Sequence, residues 1–237
     1  PQPGERVLDV ACGTGIVARM VAQRTNGQAR VVGLDVSPAM LEVARSAAAS
    51  EGMEITWHEG SADSLPFPDA SFDLVVVQQG LQFFPNKAAA VGEMYRVLDA
   101  GGRVATSTWT EIANSPLFEV LSDLVQKHLG TPALHMPFSL SDQETLRSLF
   151  VDAGFDAVEV ERVTRTVRFP ANDTFVDLSL ASAAAAVPAL QSMSEAERAA
   201  LTEAVRSEME APRQAYTEGD ELVFPMETHV VLARKSG

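Results

Sequence analysis

The first half of the chain alternates short apolar, β-branched runs with helical stretches, and glycine or proline marks nearly every switch. That alternation restricts the fold to the α/β class, a parallel sheet covered on both faces by the helices that connect its strands. Val7 to Ala11 reads as strand 1, with Thr14 to Thr25 as the helix behind it. Val31 to Leu34 reads as strand 2. Ser37 then serves as a helix N-cap, Pro38 takes the first helical position, where its missing N–H does no harm, and Gly52 closes that helix. Glu54 to His58 is expected as strand 3, Phe72 to Val77 as strand 4, Lys87 to Leu98 as a helix stopped by Gly101-Gly102, and Arg103 to Thr108 as strand 5.

The second half adds two strands and more helix. Ser115 to Leu129 has helical character and stops at Gly130, and Ser141 with Glu144 forms an expected capping box for a helix ending at Gly154. Glu159 to Phe169 and Glu221 to Arg234 read as strands 6 and 7. Between them lie an alanine-rich stretch, Ala181 to Ala186, and a second capping box, Ser194 with Glu197, opening a helix to about Ala211. With no internal repeat and no linker, residues 1–237 read as a single domain.

Charge and composition exclude several functions. The chain carries 18 Lys and Arg against 32 Asp and Glu, a formal charge of −14, and no stretch gathers the cations into one face. A phosphate backbone is repelled by that field, so nucleic acid is not an expected partner. The single cysteine, Cys12, cannot close an intramolecular disulfide, in keeping with a cytoplasmic location. No apolar run approaches the roughly 20 residues of a membrane span, and the opening, Pro1 to Arg6, does not read as a secretory leader. His58, His128, His135 and His229 lack metal-ligand spacing, so no metal is expected. Neither a Gly-x-Ser-x-Gly elbow nor a phosphate-loop lysine occurs.

Strand 1 runs straight into Asp9-Val10-Ala11-Cys12-Gly13-Thr14-Gly15 and a helix. Glycines there admit a ligand close to the backbone, and the helix N-terminus offers unpaired N–H groups. Gly13-x-Gly15-x-x-Ala18, with Asp35 about 20 residues on, also fits a dinucleotide fingerprint, so spacing alone leaves a nicotinamide-dependent oxidoreductase open. Asp9 shifts the balance, because a carboxylate at the mouth of strand 1 repels a pyrophosphate and attracts a ligand with an ammonium and a sulfonium. S-adenosylmethionine has that charge pattern.

Val7 to Gly15 resembles motif I of the class I methyltransferases, in the subgroup that includes the quinone-biosynthesis C-methyltransferases. Three further segments are similar in order and spacing: Gly33 to Met40, Gly60 to Asp63 with Leu65 to Asp69, and Phe72 to Pro85. Arg96-Val97-Leu98 with Gly101-Gly102-Arg103 resembles the family's junction of helix and strand 5. The resemblance is strong over residues 5 to 109 and weak beyond. It implies a seven-stranded Rossmann-like sheet in the order 3-2-1-4-5-7-6, strand 7 antiparallel, and S-adenosylmethionine as cofactor, with S-adenosylhomocysteine as product. It implies cofactor contacts at Asp9, Ala11, Cys12, Gly13, Thr14 and Gly15. Asp35 would take both ribose hydroxyls, since two carboxylate oxygens accept from two adjacent donors. Val36 and Met40 follow it, Ala62, Asp63 and Ser64 would meet the adenine, and Gln78 and Gln79 would flank the methionine part. Asp73 reads as structural and Cys12 as a small buried filler.

Ligands of such sheets bind beyond the carboxyl ends of the parallel strands. Two segments are therefore expected at the acceptor: the strand 5 exit, with Trp109, His135, Met136 and Phe138, and the strand 4 turn, with Gln82 and Phe83. The long connection from strand 6 to strand 7, residues 171–220, is expected as a helical lid. Its Phe175, Val176, Leu178, Leu180 and Leu190 either line a hydrophobic chamber or pack the helices together. The acceptor is expected to be a small, partly hydrophobic molecule. His135 is the expected base if the acceptor must lose a proton. Many family members carry a helix before strand 1 that folds over the cofactor, and this sequence opens too near strand 1 to include it. A non-catalytic protein that binds the same cofactor is the remaining alternative.

Overall fold

In a computed structural model of the chain, which describes residues 1–130, 134–172 and 174–237, the β/α alternation is realised in sequence order. β1 (Arg6–Val10), α1 (Ile16–Arg24), β2 (Arg30–Asp35), α2 (Pro38–Ser50), β3 (Thr56–Glu59), β4 (Phe72–Gln78), α3 (Lys87–Val97) and β5 (Leu98–Trp109) make up the first half. α4 (Pro116–Leu129), α5 (Gln143–Asp152), β6 (Asp156–Pro170), α6 (Thr174–Ala186), α7 (Pro188–Gln191), α8 (Glu195–Gln214), β7 (Thr217–Glu218) and β8 (Glu221–Arg234) follow.

The sheet order is β3-β2-β1-β4-β5-β8-β6, with the two-residue β7 paired to β8. With β8 as the seventh expected strand, this is the order the resemblance implies, and β8 runs antiparallel to β5. β1 is central: Val7 pairs with Val31 on one side and Leu74 on the other, both in parallel. Val7, Leu8 and Val10 are fully buried, the unbroken apolar run of a strand covered on both faces.

The chain packs as two compact units. The first comprises 1–108, 140–161 and 229–237; the second comprises 109–139 and 162–228. The first unit holds two apolar clusters, one around Leu8, Val75, Leu98 and Phe150, the other around Val7, Val21, Val31 and Leu74. The second unit has its own core on α4, α6, α8 and β8, where Phe169 stacks on Phe224 at 6.0 Å and Phe118 meets Phe175 edge-on at 5.1 Å. Residues 171–220 lie in this second unit. Phe175, Val176, Leu180 and Leu190 are buried in its core and only Leu178 is exposed.

Several boundaries differ from expectation, β5 beginning at Leu98 rather than Arg103 and β6 at Asp156 rather than Glu159 among them. α5 is capped by Asp142, whose carboxylate accepts from the Thr145 N–H at 2.7 Å, rather than by Ser141. Glu144 falls in the first turn, where its charge suits the helix dipole. α3 stops at Val97 because Leu98, fully buried, already pairs with Phe72 in the sheet ahead of an irregularity in register. α8 does have the Ser194–Glu197 capping box, but continues through Pro212 to Gln214.

Candidate cofactor site

The turn after β1 is built from left-handed residues: Ala11 (φ 54°), Gly13 (φ 53°) and Gly15 (φ 76°), the last being the N-cap of α1. The motif's two glycines have different tasks. A Cβ on Gly13 would meet nothing within 4 Å, so this glycine leaves open space beside the backbone, whereas one on Gly15 would lie 2.5 Å from the Trp57 ring. Asp35, at the end of β2, joins the turn to the next helix: one carboxylate oxygen accepts from the Gly13 N–H at 2.8 Å and the other from the Ser37 N–H at 2.9 Å. A carboxylate offers about four lone-pair sites, so acceptor capacity remains for two hydroxyls.

Asp9 is not at the mouth of its strand. Its side chain is 1% exposed, and one oxygen accepts from the Ala18 N–H at 2.9 Å, so it sits beneath the turn and fastens the first turn of α1 to β1. Burial, with the Asp35 charge adding to it and the Ala18 N–H opposing, pushes its carboxyl up to about 7. Burial and these two aspartates also push the Cys12 thiol well above its usual range, which disarms it as a nucleophile. Cys12 is buried, the filler expected of it; Thr14 is half-buried.

The segment expected at the adenine is tied in by the Gly60 N–H, which donates to the Asp35 carbonyl at 3.1 Å. Ala62 is buried, Ser64 is exposed, and Asp63 accepts from the Ser61 hydroxyl at 2.5 Å. Val36 and Met40 are 72% and 46% exposed, apolar side chains left open at the entrance to α2. Sequence reasoning missed what fixes this segment. Glu93 of α3 accepts from the Leu65 N–H at 2.8 Å, and Arg96 donates to the carbonyls of Leu65 and Phe67 and to Asp69 and Glu93. The Arg96 guanidinium holds the Glu93 carboxyl below its ordinary range. The i, i+3 spacing of these opposite charges was the available signal.

At the exit of β4, Gln78 is exposed and Gln79 is left-handed (φ 55°). Gln82 was expected against the acceptor, but it is 1% exposed and its amide donates to the Gln79 side chain at 3.0 Å. Phe83 is 43% exposed. Gly80 lies against Ala11, to whose Cβ a side chain at position 80 would approach within 2.9 Å, so the exits of β1 and β4 touch. Asp73 is structural, as read: it pairs with Arg6 at 2.6 Å and accepts from the Arg6 N–H.

The remaining expected acceptor residues belong to the second unit. Trp109 packs at the margin of its core, and Phe138 is buried near the Phe118 ring, which makes it a core residue rather than a contact surface. Met136 and His135 are exposed, and no hydrogen bond orients the His135 ring among the described residues. His58 sits edge-on to Phe67, His128 bonds Glu208 at 2.8 Å, and buried His229 bonds the Ser141 carbonyl at 2.8 Å. Among the described residues no group of three or more His, Cys, Asp or Glu is placed to hold a metal, and no helix is long and apolar enough to cross a membrane.

The family described as a methyltransferase domain matches residues 7–102, the stretch that builds this site. A ubiquinone/menaquinone biosynthesis C-methyltransferase of Neisseria meningitidis is 34% identical over 174 residues, spanning 68% of this chain and 71% of the relative. Among solved structures, the YcgJ protein of Bacillus subtilis shares the fold with a TM-score of 0.62 at 21% identity, over 100% of this chain and 94% of that one. A Haemonchus contortus phosphoethanolamine N-methyltransferase, solved with phosphomonomethylethanolamine and S-adenosylhomocysteine, gives 0.61 at 21% identity over 100% of this chain and 50% of its own. The oxidoreductase that glycine spacing left open is set aside by this kinship, and the chain belongs to the class I S-adenosylmethionine-dependent methyltransferases, similar to those of quinone biosynthesis.

Proposed function

We propose that the first unit holds S-adenosylmethionine on Gly13, Thr14, Gly15, Asp35, Val36, Met40, Ala62, Asp63, Ser64, Gln78 and Gln79, with Asp9, Ala11 and Cys12 shaping the turn beneath. The observation that carries this reading is the chemistry of the donor set. Asp35 has spare acceptor capacity beside the open backbone of Gly13, exposed Val36 and Met40 offer apolar flanks to a purine, and Asp35 and Asp63 stand in the set without a lysine or arginine. That suits a cationic nucleoside and ill suits a diphosphate.

Bound there, the cofactor supplies an electrophilic methyl group. The chain's own share is alignment, which can provide much of the rate in an in-line displacement. Asp35 fixes the sugar end, the Glu93–Arg96 clamp fixes the adenine segment, and the touching exits of β1 and β4 set the backbone on which the reacting end lies.

The acceptor we propose is a small, partly hydrophobic molecule, with residues 171–220 governing its turnover. The Neisseria meningitidis relative's part in quinone biosynthesis makes hydrophobic quinols and phenols the first class to assay. Nucleic acid is not the acceptor on this reading, given the charge of −14, and a reducing compartment suits the lone, disarmed thiol of Cys12. Incubation with methyl-labelled cofactor and a panel of quinols, phenols and fractionated metabolites, followed by mass analysis, tests the proposal. A labelled hydrophobic product supports it; label only in polar metabolites or RNA overturns the acceptor class.

A further inference from the structure

Gly33 is a glycine in search of a reason. It lies inside β2, and its φ is not in the left-handed region. A glycine within a strand loses backbone entropy and contributes no packing, so it marks a place where something approaches the chain closely. What approaches is Trp57, its register partner on β3. A Cβ at position 33 would lie 2.4 Å from one atom of the indole and 2.5 Å from another. The same ring reaches Gly15, where a Cβ would be 2.5 Å away. One tryptophan therefore occupies the space of two absent side chains, the first in the sheet and the second at the N-cap of α1.

We propose that Trp57 is a positioning residue for the cofactor turn: seated on Gly33 and wedged against Gly15, its indole sets the height of the Gly13–Gly15 backbone and of the first N–H groups of α1. The ring acts through Gly15, whose left-handed backbone leads directly into α1, while the other side of the turn is held by the Gly13 N–H on Asp35. Together the two contacts fix the turn from β3 and from β2. A smaller side chain at position 57 leaves the second in place and removes the first, so the turn gains freedom without losing Asp35. This proposal rests on the cofactor site being the one assigned above.

The test is calorimetric titration of S-adenosylhomocysteine into wild type, Trp57→Phe and Trp57→Leu, well below the melting temperature of each. A displacement of the turn by a fraction of an ångström should weaken Trp57→Leu about tenfold or more, with Trp57→Phe recovering most of the loss and the acceptor KM at saturating cofactor unchanged. Gly33→Ala supplies a second arm. It should weaken binding in the wild-type background and weaken it less in Trp57→Leu, where the ring is gone and the Cys12 Sγ, 3.1 Å from the added Cβ, is the crowding that remains. Folded Trp57→Leu that binds as tightly as wild type, at a lowered melting temperature, makes the indole a packing residue and overturns the proposal. Should Trp57→Leu not fold, a folded Gly33→Ala variant with wild-type affinity overturns it instead. No binding by wild type itself refutes the site assignment instead.

Discussion

Replacing Asp9 by Asn isolates the cost of holding a charge beneath the cofactor turn. The carboxyl is raised from 3.8 to about 7, with burial the largest cause. Because the folded value lies above the unfolded one, the native state binds the proton more tightly, and stability falls as pH rises from about 4 through 7. At about 1.4 kcal/mol per decade of proton affinity, the ionised group costs the fold on the order of 4 kcal/mol once the pH is above 7. Over the window from about pH 5.5 to about pH 8, which keeps clear of the sequence pI near 4.6, the wild-type loss from this group is roughly 2 kcal/mol. Asn keeps an oxygen for the Ala18 N–H and has no proton to lose. Its buried amide carries a penalty of its own, about 1–3 kcal/mol, but one that does not depend on pH. Urea unfolding of the ligand-free protein at the two pH values should therefore show the wild-type decline reduced by roughly 2 kcal/mol in Asp9→Asn. Equal declines in the two proteins would refute the reasoning and mean that the Asp9 carboxyl is already ionised at about pH 5.5, its proton held no more tightly than in the unfolded chain.

Arg96→Met removes the donors that hold the Leu65 and Phe67 carbonyls, and S-adenosylhomocysteine affinity, read by calorimetry, should fall about tenfold; unchanged affinity would reduce the clamp to a structural tie. Ala11→Gly relieves a left-handed alanine and should stabilise the protein by about 0.5–1 kcal/mol after the entropy of glycine is counted, measured as a shift in urea midpoint. His135→Ala should leave turnover unchanged across pH, since the ring is exposed; a lost limb of the pH–rate profile would install it as the base.

The sheet was legible because its strands are bounded by strong punctuation and its central strand is apolar throughout. Val7, Leu8 and Val10 admit no other placement than the middle of the sheet, and the resemblance supplied the strand order. Local chemistry was harder to read. Asp9 could be placed at the end of β1 from sequence, but which way its carboxylate turned depended on the Ala18 N–H, a contact made only once α1 folds back over the strand. Gln82 and Phe138 are expected at the acceptor because one lies in the strand 4 turn and the other in the strand 5 exit. Both are buried, since the turns that carry them fold inward. The reason for Gly33 was invisible because it lies on another strand, at Trp57. The clamp on the adenine segment likewise joins residues 28 and 31 positions apart in the chain, Glu93 and Arg96 to Leu65.

The central claim is that Asp35, with the open backbone of Gly13, receives the nucleoside of S-adenosylmethionine. Calorimetric titration of S-adenosylhomocysteine into wild type and Asp35→Asn tests it most directly. Removing a charged acceptor should weaken binding by about 10- to 100-fold while the variant stays folded. Asp35→Asn that binds as wild type does would place the nucleoside elsewhere and contradict the account.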